Sequence, residues 1–386
     1  MNAVKIKENI YWVGGIDWNL RNFHGYLTQR GSTYNAFLII DEKITLIDTV
    51  KHYLADEMFE RISKVIDPSK IDYIVCNHVE MDHSGALPKV LEYCPNATII
   101  TSQVGADNLK LHYETENWKI QAIKKTETIN IGKRNLNFVV TPMVHWPDNM
   151  ITYCPEEEIL FSNDGFGQHI ASFERFDDEF PLNILMEENA KYYANIVLPY
   201  GESVKKELEI AKTLKISIIC PSHGIIWRKN IDLAIQTYEK WANNFTENKA
   251  LIIYDTMWGS TESIAKALYK AFEIKNIAVE LLNLQFNHIS DIMTKVLTAK
   301  YICIGSPTLN NEIMPSVSGF LTYLKGLAPK DRIGLAFGSY GWSMASINKI
   351  ENILKDECKF TMLNSIKHKY VPKENDLKRI ENIIFE

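Results

Sequence analysis

IDYIVCNHVEMDHSG, residues 71–85, decides how the rest of the chain is read. Ile71 to Cys76 is an apolar run of the length and composition of a buried β-strand. It opens into a polar loop that holds His78, Glu80, Asp82 and His83 within six positions. Imidazole nitrogens and carboxylate oxygens are lone-pair donors, and a strand end holds them still, which suits a divalent transition metal. The alternative for such a loop is a solvated acidic turn with two capping histidines.

Working outward, the same arrangement recurs three times. Asn137–Val140 leads through Thr141 and Pro142 to His145. Glu158–Ser162 leads to Asp164 in FSNDGFG, and Lys215–Cys220 leads to His223 in IICPSHG. Each apolar strand delivers one imidazole or carboxylate and then Gly or Pro turn chemistry. Active sites of layered α/β folds gather at strand ends, so His78, Glu80, Asp82, His83, His145, Asp164 and His223 form one candidate ligand set. His52, His112, His169, His288 and His368 lack this context and read as surface or packing histidines; His169 stands nearest the set, in the Gly-containing loop after Asp164.

Strands are expected at Lys5–Gly14, Tyr34–Ile40, Ile44–Asp48 and Ala97–Thr101. Helices are expected at Lys51–Val65, Ala86–Tyr93, Val104–Leu111 and Asn230–Asn244. Alternation of strand and helix predicts parallel strands in layers. The polar stretch Asn244–Lys249 breaks the helical pattern, which places a boundary between residues 1–247 and 248–386. It is too short and too poor in Gly and Ser to be a long tether.

The second region opens on the buried strand Ala250–Tyr254, followed at once by DTMWGSTES and a helix over Ser263–Phe272. Thr256-x-x-Gly259-x-Thr261 sets hydroxyls and a flexible turn at a helix amino terminus, where exposed N–H groups and the helix dipole bind a phosphate monoester. The loop lacks the Gly-Lys-Ser/Thr of a triphosphatase and the three glycines of a dinucleotide fold. An uncharged, hydroxyl-rich cradle of this kind suits FMN. Candidate cofactor-binding residues are Thr256, Met257, Trp258, Gly259, Ser260 and Thr261 in this loop. Ser306, Pro307, Thr308, Leu309, Asn310 and Asn311 join them after Lys300–Gly305, and Ser339, Tyr340, Gly341 and Trp342 after Arg332–Phe337. With Ala278–Leu284, Met362–Ile366 and Glu374–Phe385 these make the five alternating units of a doubly wound sheet.

Composition narrows the function classes. The 386 residues are 46% hydrophobic and 23% charged, ordinary for globular domains, and the net charge of −6 argues against nucleic acid or an anionic membrane as partner. Six cysteines are scattered without a C-x-x-C pair, which argues against a zinc ribbon, a cysteine-held iron–sulfur cluster or a disulfide framework. No signal-peptide core and no apolar run of spanning length is present, so the expected location is the cytoplasm.

The first region is similar to the metallo-β-lactamase superfamily, whose zinc members carry H-x-H-x-D-H. Here His78-x-Glu80-x-Asp82-His83 puts a carboxylate at the third position, which shifts preference toward iron or manganese. The second region resembles flavodoxin. In this order the two resemble a flavodiiron protein, over essentially the whole chain. The resemblance implies an αββα sandwich followed by a flavodoxin-like parallel sheet, with FMN and two non-haem iron ions. One iron would take His78, Glu80 and His145, the other Asp82, His83 and His223, and Asp164 would bridge them. It implies reduction of O₂ to water, of NO to N₂O, or both. His24 and Tyr26 are then candidate hydrogen-bond donors beside the metals. Also implied are a head-to-tail homodimer, or a dimer of such dimers, and an external electron donor, rubredoxin or reduced coenzyme F420. The rival readings are a zinc hydrolase fused to a flavodoxin and an electron-transfer flavoprotein with a structural metal.

Overall fold

The computed structural model describes residues 1–382. Contacts divide the chain into two compact units. One is Met1–Tyr192 with Glu202–Glu239; the other is Tyr193–Gly201 with Lys240–Glu386. This division falls before the 247/248 boundary read from the polar joint. The reason is apolar: Trp241 and Ala242, at the end of the Ile231–Ala242 helix, are buried, and the Trp241 ring lies 5.1 Å from that of Tyr193.

The first unit is built on two sheets. One has seven strands, running from the hairpin Val4–Lys7/Ile10–Trp12 through Phe37–Ile39, Thr45–Ile47, Tyr73–Val75 and Thr98–Ser102 to Lys119–Ile123. The other has five: Thr126–Asn130, Asn135–Val140, Met150–Cys154, Ile159–Asn163 and Ile218–Pro221. Period-two alternation decides their stacking. Phe37, Ile39 and Ile47 face Phe138, Met150 and Phe161 across the sandwich, whereas Leu38, Leu46 and Ile74 face Met58, Ile62 and Val90 of the covering helices. Each fully buried aliphatic chain contributes about 1.5–3 kcal/mol, so two such layers hold the strand ends firmly.

Sequence alternation predicted parallel strands, and Thr45–Ile47, Tyr73–Val75, Thr98–Ser102 and Lys119–Ile123 do pair parallel, though each sheet as a whole is mixed. The first four strands of each sheet pair antiparallel. Most of their connections, such as Ile40–Ile44, are too short for the crossover that a parallel pair needs. Lys119–Ile123, Thr126–Asn130 and Met150–Cys154 are strands that the sequence reading passed over. Asp82 and His83 sit on a one-turn helix, Met81–Ser84, rather than in an open loop.

The second unit is a parallel sheet in the order Ala278–Asn283, Glu247–Tyr254, Ala299–Gly305, Ile333–Tyr340, with Thr361–Met362 and Ile366–Lys369 sharing the last edge. The strand order reverses beside Glu247–Tyr254, and its carboxyl end is therefore the expected ligand crevice. Gly338 is required at this point: a Cβ there would lie 2.1 Å from the Ser306 carbonyl oxygen. The last helix is Glu374–Glu381; its expected extension to Phe385 falls partly outside the described residues.

Candidate functional site

The seven-residue set converges in the first unit. The ligand atoms of His78, Glu80 and His145 lie within 4.8 Å of one another, as do those of Asp82, His83 and His223. Asp164 stands between the two groups. Its Oδ1 is 3.2 Å from His83 Nε2 and 3.4 Å from His223 Nε2, while its Oδ2 is 3.3 Å from His145 Nε2 and 3.9 Å from His78 Nε2. One carboxylate oxygen thus faces each triad.

Several of these atoms are buried with no hydrogen-bond partner among the described residues: both oxygens of Asp82, both oxygens of Asp164 and both ring nitrogens of His83. An unsatisfied buried carboxylate is costly, and metal coordination satisfies it. Burial opposes charge throughout the cluster. Against it, the imidazoles of His83, His145 and His223 hold Asp164 well below the usual carboxylate range. Likewise Asp148 and Glu80 hold His78 well above the usual imidazole range, and Asp164 and Asp82 push His223 up to about 10. Protons on imidazole here occupy the lone pairs that a metal takes. Three carboxylates and four neutral imidazoles carry −3 in formal charge, which two divalent cations nearly offset.

Groups behind the ligands orient them. His78 Nδ1–H donates to Asp148 Oδ2 at 2.8 Å, and the Val79 N–H donates to the same oxygen at 2.9 Å, which turns His78 Nε2 into the cluster. His223 Nδ1–H donates to the Thr33 carbonyl at 2.9 Å. Asp48 accepts from both N–H groups of Asn77, at 2.8 and 2.9 Å, and so braces the turn into His78. Met143 and Phe166, two and two residues from His145 and Asp164, hold φ of 68° and 66°, strain of about 1–3 kcal/mol each that the surrounding sandwich enforces. Replacing Asp148 with Ala is expected to weaken metal retention about 10–100-fold with the fold intact; metal per chain and circular dichroism measure both.

His24 and Tyr26 separate. His24 is the first residue of a two-residue hairpin turn with Gly25, both at positive φ. Its Nε2 lies 3.2 Å from Glu80 Oε1, with the side chain 74% exposed. Tyr26 is buried, its ring 5.4 Å from that of His169. His169 is a packing histidine, but one in the wall of the site: Ser32 Oγ is 2.8 Å from its Nδ1, and its ring is 4.9 Å from that of His223. Burial first and His223 second keep it neutral, well below the usual imidazole range. Phe23 and Tyr192 complete this wall, with ring centroids 6.4 and 5.9 Å from that of His223. Asp148, Tyr192 and Phe23 escaped the sequence reading; an Asp three residues after His145 was the one local signal.

The second unit holds a cavity of about 450 Å³ at the crevice, a size that suits a cofactor. Thr256, Met257, Trp258, Ser260, Pro307, Thr308, Ser339, Tyr340, Gly341 and Trp342 line it, joined by Tyr370 and Val371, which sequence reasoning missed. Gly259 (φ 83°) ends the loop at the start of the Ser260–Ile274 helix, with open space where a Cβ would stand. Its N–H donates to Thr256 Oγ1 at 3.1 Å, and Thr261 Oγ1 lies 3.3 Å from Ser339 Oγ. Buried Ser306 accepts from the Met314 N–H at 3.0 Å and anchors its loop. Of the candidates, Gly259, Thr261, Ser306, Leu309, Asn310 and Asn311 do not line the cavity. The two asparagines are the left-handed pair of a hairpin turn, at φ 52° and 60°.

Comparison with known proteins meets this geometry. The family described as ODP family beta lactamase matches residues 33–224, and Flavodoxin matches 252–382. The nitric oxide reductase of Moorella thermoacetica is 44% identical, covering 97% of this chain and 96% of that one. The solved rubredoxin oxygen:oxidoreductase from Desulfovibrio gigas superposes with a TM-score of 0.96 at 42% identity, covering 98% of this chain and 96% of that one. The chain belongs to the flavodiiron proteins. The flavodiiron protein from Giardia intestinalis also superposes with a TM-score of 0.96, at 36% identity over 99% of this chain and 95% of that one. The fold is accordingly a β-lactamase-like domain followed by a flavodoxin domain, and the protein is an oxidoreductase. Flavodiiron proteins carry FMN and a non-haem diiron centre, and the donor sets described above fit both. Among the described residues, no helix is long and apolar enough to cross a membrane.

Proposed function

We propose that this flavodiiron protein reduces O₂ to water, NO to N₂O, or both, at two iron ions held by His78, Glu80, Asp82, His83, His145, Asp164 and His223. The observation that carries this reading is the division of Asp164 between two triads, one oxygen to each. Three carboxylates in the set favour iron over zinc and stabilise its higher oxidation state. Bound iron supplies one-electron redox chemistry at each ion, and bound FMN accepts electrons in pairs and releases them singly.

The remaining roles belong to the chain. Asp148 and the Thr33 carbonyl orient His78 and His223. Phe23, Tyr192 and His169 exclude water from one wall. His24, whose Nε2 lies 3.2 Å from Glu80 Oε1 at the exposed side, would donate a hydrogen bond to a diatomic substrate. In the second unit the Thr256–Thr261 loop holds the FMN phosphate, and Tyr340 and Trp342 offer aromatic faces to the ring.

Electrons come from an external donor, rubredoxin or reduced F420, in the cytoplasm. A head-to-tail homodimer, alone or paired into a tetramer, brings FMN of one chain to the irons of the other. The names of relatives support this reading: a nitric oxide reductase and a rubredoxin-oxygen oxidoreductase. The deciding experiment is anaerobic stopped-flow of reduced protein against O₂ and NO in parallel, with metal and flavin measured on the same sample. Rapid reoxidation by either gas with about two irons per chain supports the proposal; two zinc ions and no reoxidation overturn it in favour of a hydrolase. His24→Asn is expected to slow reoxidation about 10-fold without loss of iron, and unchanged kinetics would remove His24 from the reaction.

A further inference from the structure

The first unit holds a cavity of about 810 Å³ that none of the seven candidate ligands lines. Its inner surface is built on Trp12, whose indole N–H donates to Asn35 Oδ1 at 2.8 Å and so fixes the ring. Two guanidinium groups lie against that ring. The Cζ of Arg61 is 4.9 Å from its centroid and that of Arg175 is 4.6 Å from it. Both arginines line the cavity, and both are more than nine-tenths buried. Arginine is rarely buried to this extent unless it is paired.

The pairing here is incomplete. Arg61 Nη1–H donates to the Gly14 carbonyl at 2.7 Å and lies 3.3 Å from Glu57 Oε2, which leaves its Nε–H without a partner among the described residues. Arg175 donates through Nη2 to the Ser172 carbonyl; its Nη1 has no partner and no ion pair reaches it among the described residues. The three acids that line the cavity are engaged elsewhere. Glu57 serves Arg61, and Glu174 accepts from the Ser172 hydroxyl. Glu179 accepts from Arg228 Nη2 at 3.2 Å and from the main-chain N–H groups of Arg175 and Phe176. Burial first, and the charge of Arg61 second, lower the Arg175 guanidinium to about 10, so it stays charged at neutral pH. Beside these buried cations stand the side chains of Trp18 and Phe173, both exposed and both lining the same cavity.

We propose that this cavity binds a small aromatic carboxylate, its anion on Arg175 and its ring against Trp18 and Phe173. The planar guanidinium fork matches a carboxylate, and a charge-assisted pair is the strongest hydrogen bond open to it. The arginine stem is unbranched, so a small rotation turns its unpartnered N–H to an acceptor seated above Trp12. The volume falls in the range of small-molecule sites, and aromatic side chains beside a charged anchor favour a flat ring. A single negative charge is specified by the lining acids: Glu57, Glu174 and Glu179 repel a dianion such as a phosphate monoester. The site does not depend on the reaction proposed above, because it shares no residue with the candidate iron ligands or the FMN loops.

The probe is naphthoate, with the neutral alcohol naphthylmethanol as its isostere, each titrated calorimetrically into protein loaded with metal and FMN. Naphthoate is expected to bind once per chain, on the order of 10-fold or more tighter than the alcohol, as a charge-assisted pair requires. Arg175→Gln should abolish that preference. Trp18→Ser and Phe173→Ser should weaken acid and alcohol alike, by about 2- to 10-fold each. Both aromatic side chains are exposed, so these two variants keep the test open if Arg175→Gln fails to fold. Equal affinity for acid and alcohol overturns the proposal, as does the absence of binding by either at millimolar concentration. Naphthoate binding that ignores every one of the substitutions overturns it too, since the carboxylate would then sit on the metal ions.

Discussion

Asp164→Ala is expected to emerge from purification with iron reduced on the order of 10²-fold and with turnover lost in step. Most ligand substitutions cost one ion one donor. This one removes a donor from both, because Oδ1 faces the Asp82–His83–His223 triad and Oδ2 the His78–Glu80–His145 triad. It also lowers the formal negative charge of the set from three to two, so two divalent cations would sit in a largely buried site with a larger uncompensated charge. Leaving a buried charge without its partner costs about 3–5 kcal/mol, a factor of roughly 10² to several thousand in affinity. Iron per chain by elemental analysis, with FMN content as internal control, tests this. Asp164→Asn separates charge from geometry: it keeps the shape, and retention of both irons in that variant would refute the bridging role.

The convergence of the seven candidate side chains was readable because each follows an apolar strand of recognisable length, and strand ends converge in layered folds. What lies behind them was not. Asp148 pairs with His78 from 70 positions away, a contact that no local pattern announces. His169 lacks a strand before it, yet the chain folds it against His223. Alternation of strand and helix gave the parallel run from Thr45–Ile47 to Lys119–Ile123, but it says nothing about hairpins such as Asn135–Val140 with Met150–Cys154. In the second unit Asn310 and Asn311 looked like hydrogen-bonding partners for a heterocycle, but two adjacent asparagines between extended residues are first a turn signal. Tyr370 reaches the cavity from a late loop with no glycine-rich signature.

Thr261→Glu is expected to leave the flavodoxin domain folded and essentially free of FMN. Thr261 is buried in the first turn of the Ser260–Ile274 helix, its hydroxyl 3.3 Å from that of Ser339, which lines the cavity. The helix amino terminus favours an anion there by about 0.3–1 kcal/mol. A carboxylate about 4 Å from a phosphate oxyanion opposes it by about 4 kcal/mol at an effective dielectric of 20. The repulsion wins and corresponds to a roughly 10³-fold weaker Kd. By comparison, losing the exposed Trp342 face forfeits about 0.5–1.5 kcal/mol of stacking, so the phosphate loop decides retention. Flavin absorbance of purified protein and fluorescence titration of flavin-free protein with FMN measure the effect, with Thr261→Ser as the conservative control. Iron content should not change, because every candidate ligand belongs to the other unit. Full FMN occupancy in Thr261→Glu would show that the phosphate binds elsewhere.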